Sequence, residues 1–237
     1  MTDSVLCVIP AKRRSRRLLG KNLRPLGGVP LILHTVRGAL EARRVDRVVV
    51  STDCAEIAQV AARAGADVPL LRRPHQSDDD VHASVPVIDM LCRLGGADCF
   101  SYCAMLLPTA PLRPTSAIDD VIELSQRTQH NVVSVAPVGK HLLHLRTFAP
   151  DGTLETVADK VPLNFQSDAA PPLYALNGSV YCAPSRELIE HGSYHYGHPL
   201  GYAMSAAASV DIDGEEDFQL AERLITSIEP SSAGIRA

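Results

Sequence analysis

The stretch SVLCVIPAKRRSRRLLGKN, residues 4–22, joins two kinds of chain, and their order decides the fold. Its first part, SVLCVIPA (4–11), is an unbroken apolar run closed by a loop signal, the pattern of a strand buried on both faces. Its second part packs six cations (Lys12, Arg13, Arg14, Arg16, Arg17, Lys21) into one loop, although the 237-residue chain has a formal net charge of −4. A strand buried on both faces needs helices on both sides of its sheet. The rest of the sequence supplies them.

After Pro25 and the pair Gly27-Gly28, Pro30 suits the first turn of a helix through LILHTVRGALEARR, with Leu33, Val36 and Leu40 at helical spacing. RVVVST (47–52) reads as a strand, AEIAQVAARAG (55–65) as a helix ended by its glycine, and DVPLL (67–71) as strand-like. VHASVPVIDMLCRLGG (81–96) is helical if Pro86 lies in the first turn or kinks the helix. CFSYCAMLL (99–107), PTSAIDDVIELSQRT (114–128) and NVVSVAPV (131–138) continue as strand, helix and strand. This alternation predicts an α/β fold: a Rossmann-like, doubly wound, mostly parallel sheet with right-handed crossovers. Between about 139 and 175 the pattern breaks into a hairpin around Asp151-Gly152 and irregular chain, the kind of excursion that covers a site or meets a partner subunit. SVYCA (179–183) and YAMS (202–205) resume strands, and EEDFQLAERLI (215–225) closes as an amphipathic helix. The length fits a single domain spanning 1–237, with the excursion inserted.

Composition narrows the class. Hydrophobic residues make up 46% but aromatics only 4%, with no Trp, so Val, Leu, Ile and Ala must fill the interior. The six cysteines form no CxxC pair, which leaves neither a zinc nor a redox motif and reads as buried free thiols in a reducing cytosol. The start MTDSVLC lacks a signal-peptide pattern and no apolar run is long enough to span a membrane, so a soluble cytoplasmic protein is expected.

In a doubly wound sheet, ligands sit beyond the carboxyl ends of the strands, and the basic stretch occupies the first such loop. It is neither GxGxxG nor a Walker loop, since Gly20-Lys21 is followed by Asn22. Any phosphate there must be held largely by guanidinium and ammonium groups. Read on charge alone, the loop is equally a solvated surface or a nucleic-acid patch. In SVDIDGEED (209–217), extended chain would put Asp211 and Asp213 on one face. Two such carboxylates repel unless a cation bridges them, and Mg²⁺ takes one or two carboxylates and completes its shell with water and phosphate. Glu215 and Glu216 suit a helix start instead. Ser51, Thr52 and Asp53 read as helix-capping residues, His82 as a polar cap rather than a base, and PTAPLRP (108–114) as a rigid loop on the ligand side.

Taken together, these stretches resemble the cytidylyltransferases that make CMP-activated sugar acids, the CMP-sialic acid and CMP-KDO synthetases, over nearly the whole chain. The motifs, in order, are IPAKRRSRRLLGKN, PLGGVPLI (25–32), DRVVVSTDCAEIA (46–58), Arg73-Pro74 with Ser77-Asp78, LLPTAPLRP, NGSVY (177–181) and SVDIDGEED. The resemblance implies a homodimer whose excursion reaches over the neighbour's site. It also implies in-line attack of an acceptor oxygen on the α-phosphorus of CTP, with pyrophosphate leaving. By carry-over, Lys12, Arg16 and Lys21 hold the phosphates within a loop of Arg13, Arg14 and Ser15, Asn22 and Arg73 meet the nucleoside, and Asp211 with Asp213 bind magnesium. Leu107, Asn177 and Tyr181 fall on the acceptor side.

The departures bear on the acceptor. The family's arginine after Ile-Pro-Ala is Lys12, its next two small residues are Arg13-Arg14, and its glutamine after the central strand is Leu107. The arginines that meet a sugar carboxylate in the sialic-acid branch align with Ser167 and Ala175. These changes raise the expectation of an acceptor other than ordinary sialic acid, such as a phosphonate or phosphate-bearing acid, beside that of a sugar acid. A different nucleotide is the alternative within enzymes. The alternative outside them, a basic-loop module binding nucleic acid, sits poorly with 23 Lys plus Arg against 27 Asp plus Glu.

Overall fold

The apolar run at residues 5–10 is the physical centre of the computed structural model, which describes residues 3–15, 17–78, 80–157 and 171–228. It forms β1 (Val5–Pro10), whose side chains alternate between two cores: Val5, Cys7 and Ile9 enter one, Leu6 and Val8 the other. Burying each such side chain contributes about 1.5–3 kcal/mol before entropy is counted. β1 lies between β4 (Arg47–Ser51) and β5 (Tyr102–Leu106), parallel to both. The sheet is completed by β6 (Val132–Pro137), β9 (Tyr174–Pro184) and β10 (Leu200–Ala203), in the order β10-β6-β9-β5-β1-β4. β9 runs antiparallel to both of its neighbours, β5 and β6.

Helices α1 (Leu31–Glu41), α2 (Ala55–Arg63) and α5 (Thr115–Thr128) pack on the Cys7 face. On the Leu6 face lie α3 (Ser84–Arg93) and α6 (Ser185–His191), with the one-turn α4 (Gly96–Cys99) between α3 and β5. Pro86 is the third residue of α3, in the first turn, where its missing N–H costs nothing. Segment 67–71 is not a strand. Asp67 makes a single bridge to Val49, and Pro69, with no N–H to donate, stops the ladder from extending. The cysteines also divide: Cys7, Cys54, Cys103 and Cys182 are buried free thiols, but Cys92 and Cys99 are exposed, because α3 ends and α4 lies at the surface. Burial pushes the Cys103 and Cys182 thiols up to about 12.

Two smaller pieces attach to the sheet. β2 (Pro25–Leu26) and β3 (Val29–Pro30) form a tight hairpin through Gly27 and Gly28, both at positive φ. In the excursion, β7 (Arg146–Phe148) pairs with β8 (Leu154–Thr156) across the Asp151-Gly152 turn, and residues 158–170 lie outside the described residues.

A third apolar cluster decides where the chain's end goes. Leu26 and Leu31 pack with Ile212 and with Phe218 and Ala221 of α7 (Glu215–Ile228), and Leu18 and Leu112 lean against them. Arg24 reinforces this with a two-pronged ion pair to Glu215 and a guanidinium 3.9 Å above the Phe218 ring. The tail is thereby brought to the loop that follows β1.

Candidate active site

The burial of Ile212 builds one wall of the site. Its side chain is fully buried in the third cluster and its amide donates to the Thr109 carbonyl at 2.8 Å. In extended chain its neighbours Asp211 and Asp213 then face the other way, as their spacing predicts. Asp217 holds the turn that follows, accepting from the amides of Asp213 and Gly214.

The opposite wall is the basic loop. Its amide at Arg13 donates to Asp53 Oδ1 at 2.7 Å, and the Asn22 side chain, buried, donates to the Lys12 carbonyl at 2.9 Å. Asp53 therefore ties down the loop and does not cap α2. Thr52 accepts from the Cys54 amide, and Ser51 receives Arg72. None of the three makes the side-chain cap bond of α2, whose N-cap is Cys54: Asp53 and Ser51 are taken by Arg13 and Arg72, and Thr52 reaches only the Cys54 amide.

Between the walls lies a cleft of about 470 Å³, whose lining includes Lys12, Ser15, Arg17, Lys21, Asn22, Arg72, Gln76, Leu107, Thr109 and Asp213. Four of its lining residues are cations (Lys12, Arg17, Lys21, Arg72) against two carboxylates, Asp78 and Asp213. In a chain of net negative charge, this concave surface is locally positive and suits a polyanion. The basic loop and the segment 212–213 meet inside it. Lys21 Nζ donates to the Ile212 carbonyl at 2.7 Å and stands 3.8 Å from Asp213 Oδ1, while Arg17 donates to Asp213 Oδ2 at 2.7 Å. Burial lowers the Lys21 pKa, and the charges of Asp213 and Asp211 work against that shift.

Asp211 stands beside the cleft wall. It is open to solvent yet crowded by protein atoms, and this crowding raises its pKa, with Asp213 adding repulsion and a hydrogen bond from Thr109 and the charge of Lys21 opposing. Its Oδ2 lies 3.5 Å from where a Cβ on Gly178 would sit. Two hard oxygen donors that repel one another fit a divalent cation. Among the described residues no group of three or more His, Cys, Asp or Glu side chains is placed to hold a metal, so the protein would supply two carboxylates and leave the other positions to water and phosphate.

The structure separates the remaining sequence-derived residues. Arg13 and Arg14 are exposed and outside the cleft lining, so the expectation of a more anionic acceptor loses the two arginines that were part of its basis. Arg16 lies outside the described residues. Arg73 is exposed, 4.0 Å from Asp89, and does not line the cleft. Its neighbour Arg72 does, buried and donating to the Ser51 carbonyl at 2.6 Å, because the Arg72 amide is pinned to the Thr52 carbonyl. Desolvation lowers the Arg72 guanidinium to about 10.

Leu107 lines the cleft, but Asn177 and Tyr181 do not. Asn177 is buried: Oδ1 accepts from Ser134 Oγ (2.6 Å) and the Ser179 amide (3.2 Å), and Nδ2 donates to Ser209 Oγ (2.9 Å). Tyr181 is buried under the rings of Tyr194 and His195, both 5.8 Å away, and burial and the Asp211 charge raise its phenol pKa. His82 Nδ1 accepts from the amide of Ser84, the first residue of α3, as a polar cap would. Sequence reasoning missed Arg17, Arg72, Gln76 and Thr109 as cleft residues. The PTAPLRP loop was the signal for Thr109, whereas nothing in an Arg-Arg doublet tells which arginine turns inward.

Comparison with known proteins places this geometry. A cytidylyltransferase family model matches residues 6–89. CMP-N,N'-diacetyllegionaminic acid synthase of Legionella pneumophila is 37% identical over 93% of this chain and 96% of its own length. N-acylneuraminate cytidylyltransferase of Streptococcus agalactiae serotype V is 29% identical over 90% of this chain and 51% of its own. The solved CMP:2-keto-3-deoxy-manno-octonic acid synthetase complexed with CTP superposes with a TM-score of 0.71 over 94% of this chain and 99% of that one, at 15% identity, and so shares the Rossmann-like nucleotidyltransferase fold. The basic lip, the acidic pair opposite it and the near full-length identity agree: this chain belongs to the cytidylyltransferase family that makes CMP-activated sugar acids, CTP-dependent nucleotidyltransferases.

Proposed function

We propose that this chain transfers CMP from CTP to a sugar acid of the legionaminic type, using a divalent cation held by Asp211 and Asp213, as a homodimer. The observation that carries the reading is the meeting of Lys21 Nζ with the Ile212 carbonyl at 2.7 Å, which joins the basic loop to the acidic segment whose Asp213 lines the cleft.

Lys12, Ser15 and Lys21 line the part of the cleft suited to the triphosphate, while the role of Arg16 rests on the resemblance alone. Asn22 and Arg72 are the polar groups placed for the nucleoside, with Arg72 in the position expected of Arg73. The acceptor hydroxyl oxygen forms a bond to the α-phosphorus as the bond to the β-phosphate oxygen breaks. Pyrophosphate departs and the hydroxyl proton passes to solvent. Lys12 and Lys21 stabilise charge developing on the phosphoryl oxygens, and Lys21, anchored to the Ile212 carbonyl before substrate arrives, does so without reorganising. Asp211 and Asp213 would hold a magnesium ion, whose charge would add to the neutralisation of the phosphates. No protein nucleophile is required.

The acceptor assignment is supported by the 37% identity to the legionaminate enzyme. Partnering is supported by the apolar side chains that the excursion leaves in water: Phe148 is 78% exposed, Leu154 61% and Val157 53%. On this reading residues 1–237 are one nucleotidyltransferase unit, and the 139–175 excursion is its dimer contact. Among the described residues no helix is long and apolar enough to cross a membrane.

The test is pyrophosphate release from CTP, UTP, ATP or GTP with Mg²⁺ and a panel of N,N'-diacetyllegionaminic, N-acetylneuraminic and pseudaminic acids. CTP with the diacetylated legionaminic acid should turn over fastest. Preferred turnover of N-acetylneuraminate would overturn the acceptor assignment, and equal use of UTP the choice of nucleotide. Sedimentation of the wild type against Phe148→Asp should show a dimer becoming a monomer.

A further inference from the structure

Both oxygens of Asp213 face cations in the cleft. Lys21 Nζ is 3.8 Å from Oδ1, and Arg17 Nη1 is 2.7 Å from Oδ2. The two cations are not equivalent. The Lys21 side chain is only 12% exposed and its ammonium is anchored to the Ile212 carbonyl, so it stays in place. The Arg17 side chain is 71% exposed, lines the cleft, and sits in the loop just before Gly20, whose left-handed backbone (φ 66) turns the chain into the next segment. A divalent ion on Asp213 would compete with the guanidinium for the carboxylate's lone pairs, and two cations at that distance repel. Occupation of Asp213 by Arg17 and by metal is therefore antagonistic.

We propose that Arg17 is an exchangeable counter-ion: it occupies the Asp213 carboxylate in the empty enzyme, releases it when nucleotide and divalent cation arrive together, and turns to the phosphates leaving as pyrophosphate. This rests on the reading of Asp211 and Asp213 as the cation ligands. An ion pair this exposed holds Asp213 weakly, by a factor of up to about five, so incoming phosphate displaces it readily. The swap has two consequences of opposite sign. Arg17 opposes binding of metal alone and favours binding of nucleotide. It thus keeps a bare cation from settling in the site ahead of its substrate.

The experiment uses Mn²⁺ as the probe, with free ion counted by electron paramagnetic resonance in the absence of nucleotide, and CTP binding followed by calorimetry without acceptor. Wild type is compared with Arg17→Gln, Arg17→Lys and Asp211→Asn. Arg17→Gln should tighten Mn²⁺ about two- to fivefold and weaken CTP by at least as much, and Arg17→Lys should restore both towards wild type. A general loosening of the fold would weaken both ligands and so overturn the exchange. Unchanged Mn²⁺ affinity in Arg17→Gln, with Asp211→Asn abolishing binding, would overturn the exchange and leave the metal reading intact. Equal Mn²⁺ binding by wild type and Asp211→Asn would overturn both.

Discussion

Replacing Asn177 by Leu should destabilise the protein by about 3 kcal/mol, because the side chain is a buried junction of three segments. It lies 95% out of solvent in β9, where the register against β6 shifts between Val133 and Val135. Its carbonyl is the acceptor for the Ser134 hydroxyl and the Ser179 amide, and its amino group reaches Ser209, in the turn that leads to Asp211. Leucine keeps the approximate volume and removes every one of these bonds. A hydrogen bond contributes about 1 kcal/mol net, and a buried donor left without an acceptor costs about 1–3 kcal/mol. Ser134 Oγ still accepts from the Val180 amide, so its loss is partial. The sum is near 3 kcal/mol, or a fall in Tm of about 10 °C for a chain of this size. Urea unfolding followed by circular dichroism suits a chain without tryptophan. Asn177→Asp, which keeps both acceptor contacts and loses the donation to Ser209, should fall between. A loss under about 1 kcal/mol with a rise confined to the acceptor KM would refute the argument and return Asn177 to a substrate-contacting role.

Three further outcomes follow from the same geometry. Gly178 has φ +65, so Gly178→Ala should cost about 1–2 kcal/mol in backbone strain by the same unfolding assay. The nearest atoms to the added Cβ, Leu107 Cδ1 at 3.4 Å and Asp211 Oδ2 at 3.5 Å, are at ordinary contact distance and add little. Arg113, 8% exposed, donates to the Leu107 carbonyl and to Ser179 Oγ, and desolvation lowers it to about 10. Arg113→Lys keeps a buried charge but not the fork, and should lose about 2 kcal/mol of stability. His195 has its pKa lowered by burial and then by His82, 6.3 Å away ring to ring. The folded state thus binds this proton less readily than the unfolded chain, so its contribution to stability is complete above about pH 6.5 and is lost as pH falls through the folded value. Nuclear magnetic resonance titration should find His195 below the usual histidine range, and His82→Ala should raise it part of the way, leaving the effect of burial.

The sheet was legible because β1 and its parallel neighbours are unbroken apolar runs, and helices of the right period stand between them. Segment 67–71 misled because Val68, Leu70 and Leu71 look like a strand, while the deciding atom is the hydrogen that Pro69 lacks. The direction of β9 could not be read at all: an apolar run carries no sign of whether its partners run with it or against it. In the site, Asp211 and Asp213 were legible from a period of two, and Lys21 with Asn22 from the motif they end. Asn177 and Arg73 were placed by resemblance, and the structure puts one in the core and the other outside the cleft. One residue of shift in an extended segment turns a side chain through the wall, which is how Arg72 and not Arg73 comes to face the cleft.

That same sensitivity to register explains why Ile212 matters as much as the carboxylates around it. It is fully buried against Leu26, Leu31 and Phe218, and its amide is fixed to Thr109. A slip of one residue at this point would bury Asp211 or Asp213 and turn an isoleucine into the cleft. The cost of placing an unpaired carboxylate in an apolar cluster far exceeds that of exposing one isoleucine. Register is therefore enforced by the price of error on both faces of the segment. The apolar side chain positions the acidic pair, and the acidic pair keeps the apolar side chain from slipping. The basic loop is held to the same cluster through Leu18, and Lys21 reaches the carbonyl of that same Ile212. A single buried side chain thus sets how closely the basic loop approaches the two carboxylates, and any substitution there should displace both walls of the cleft together.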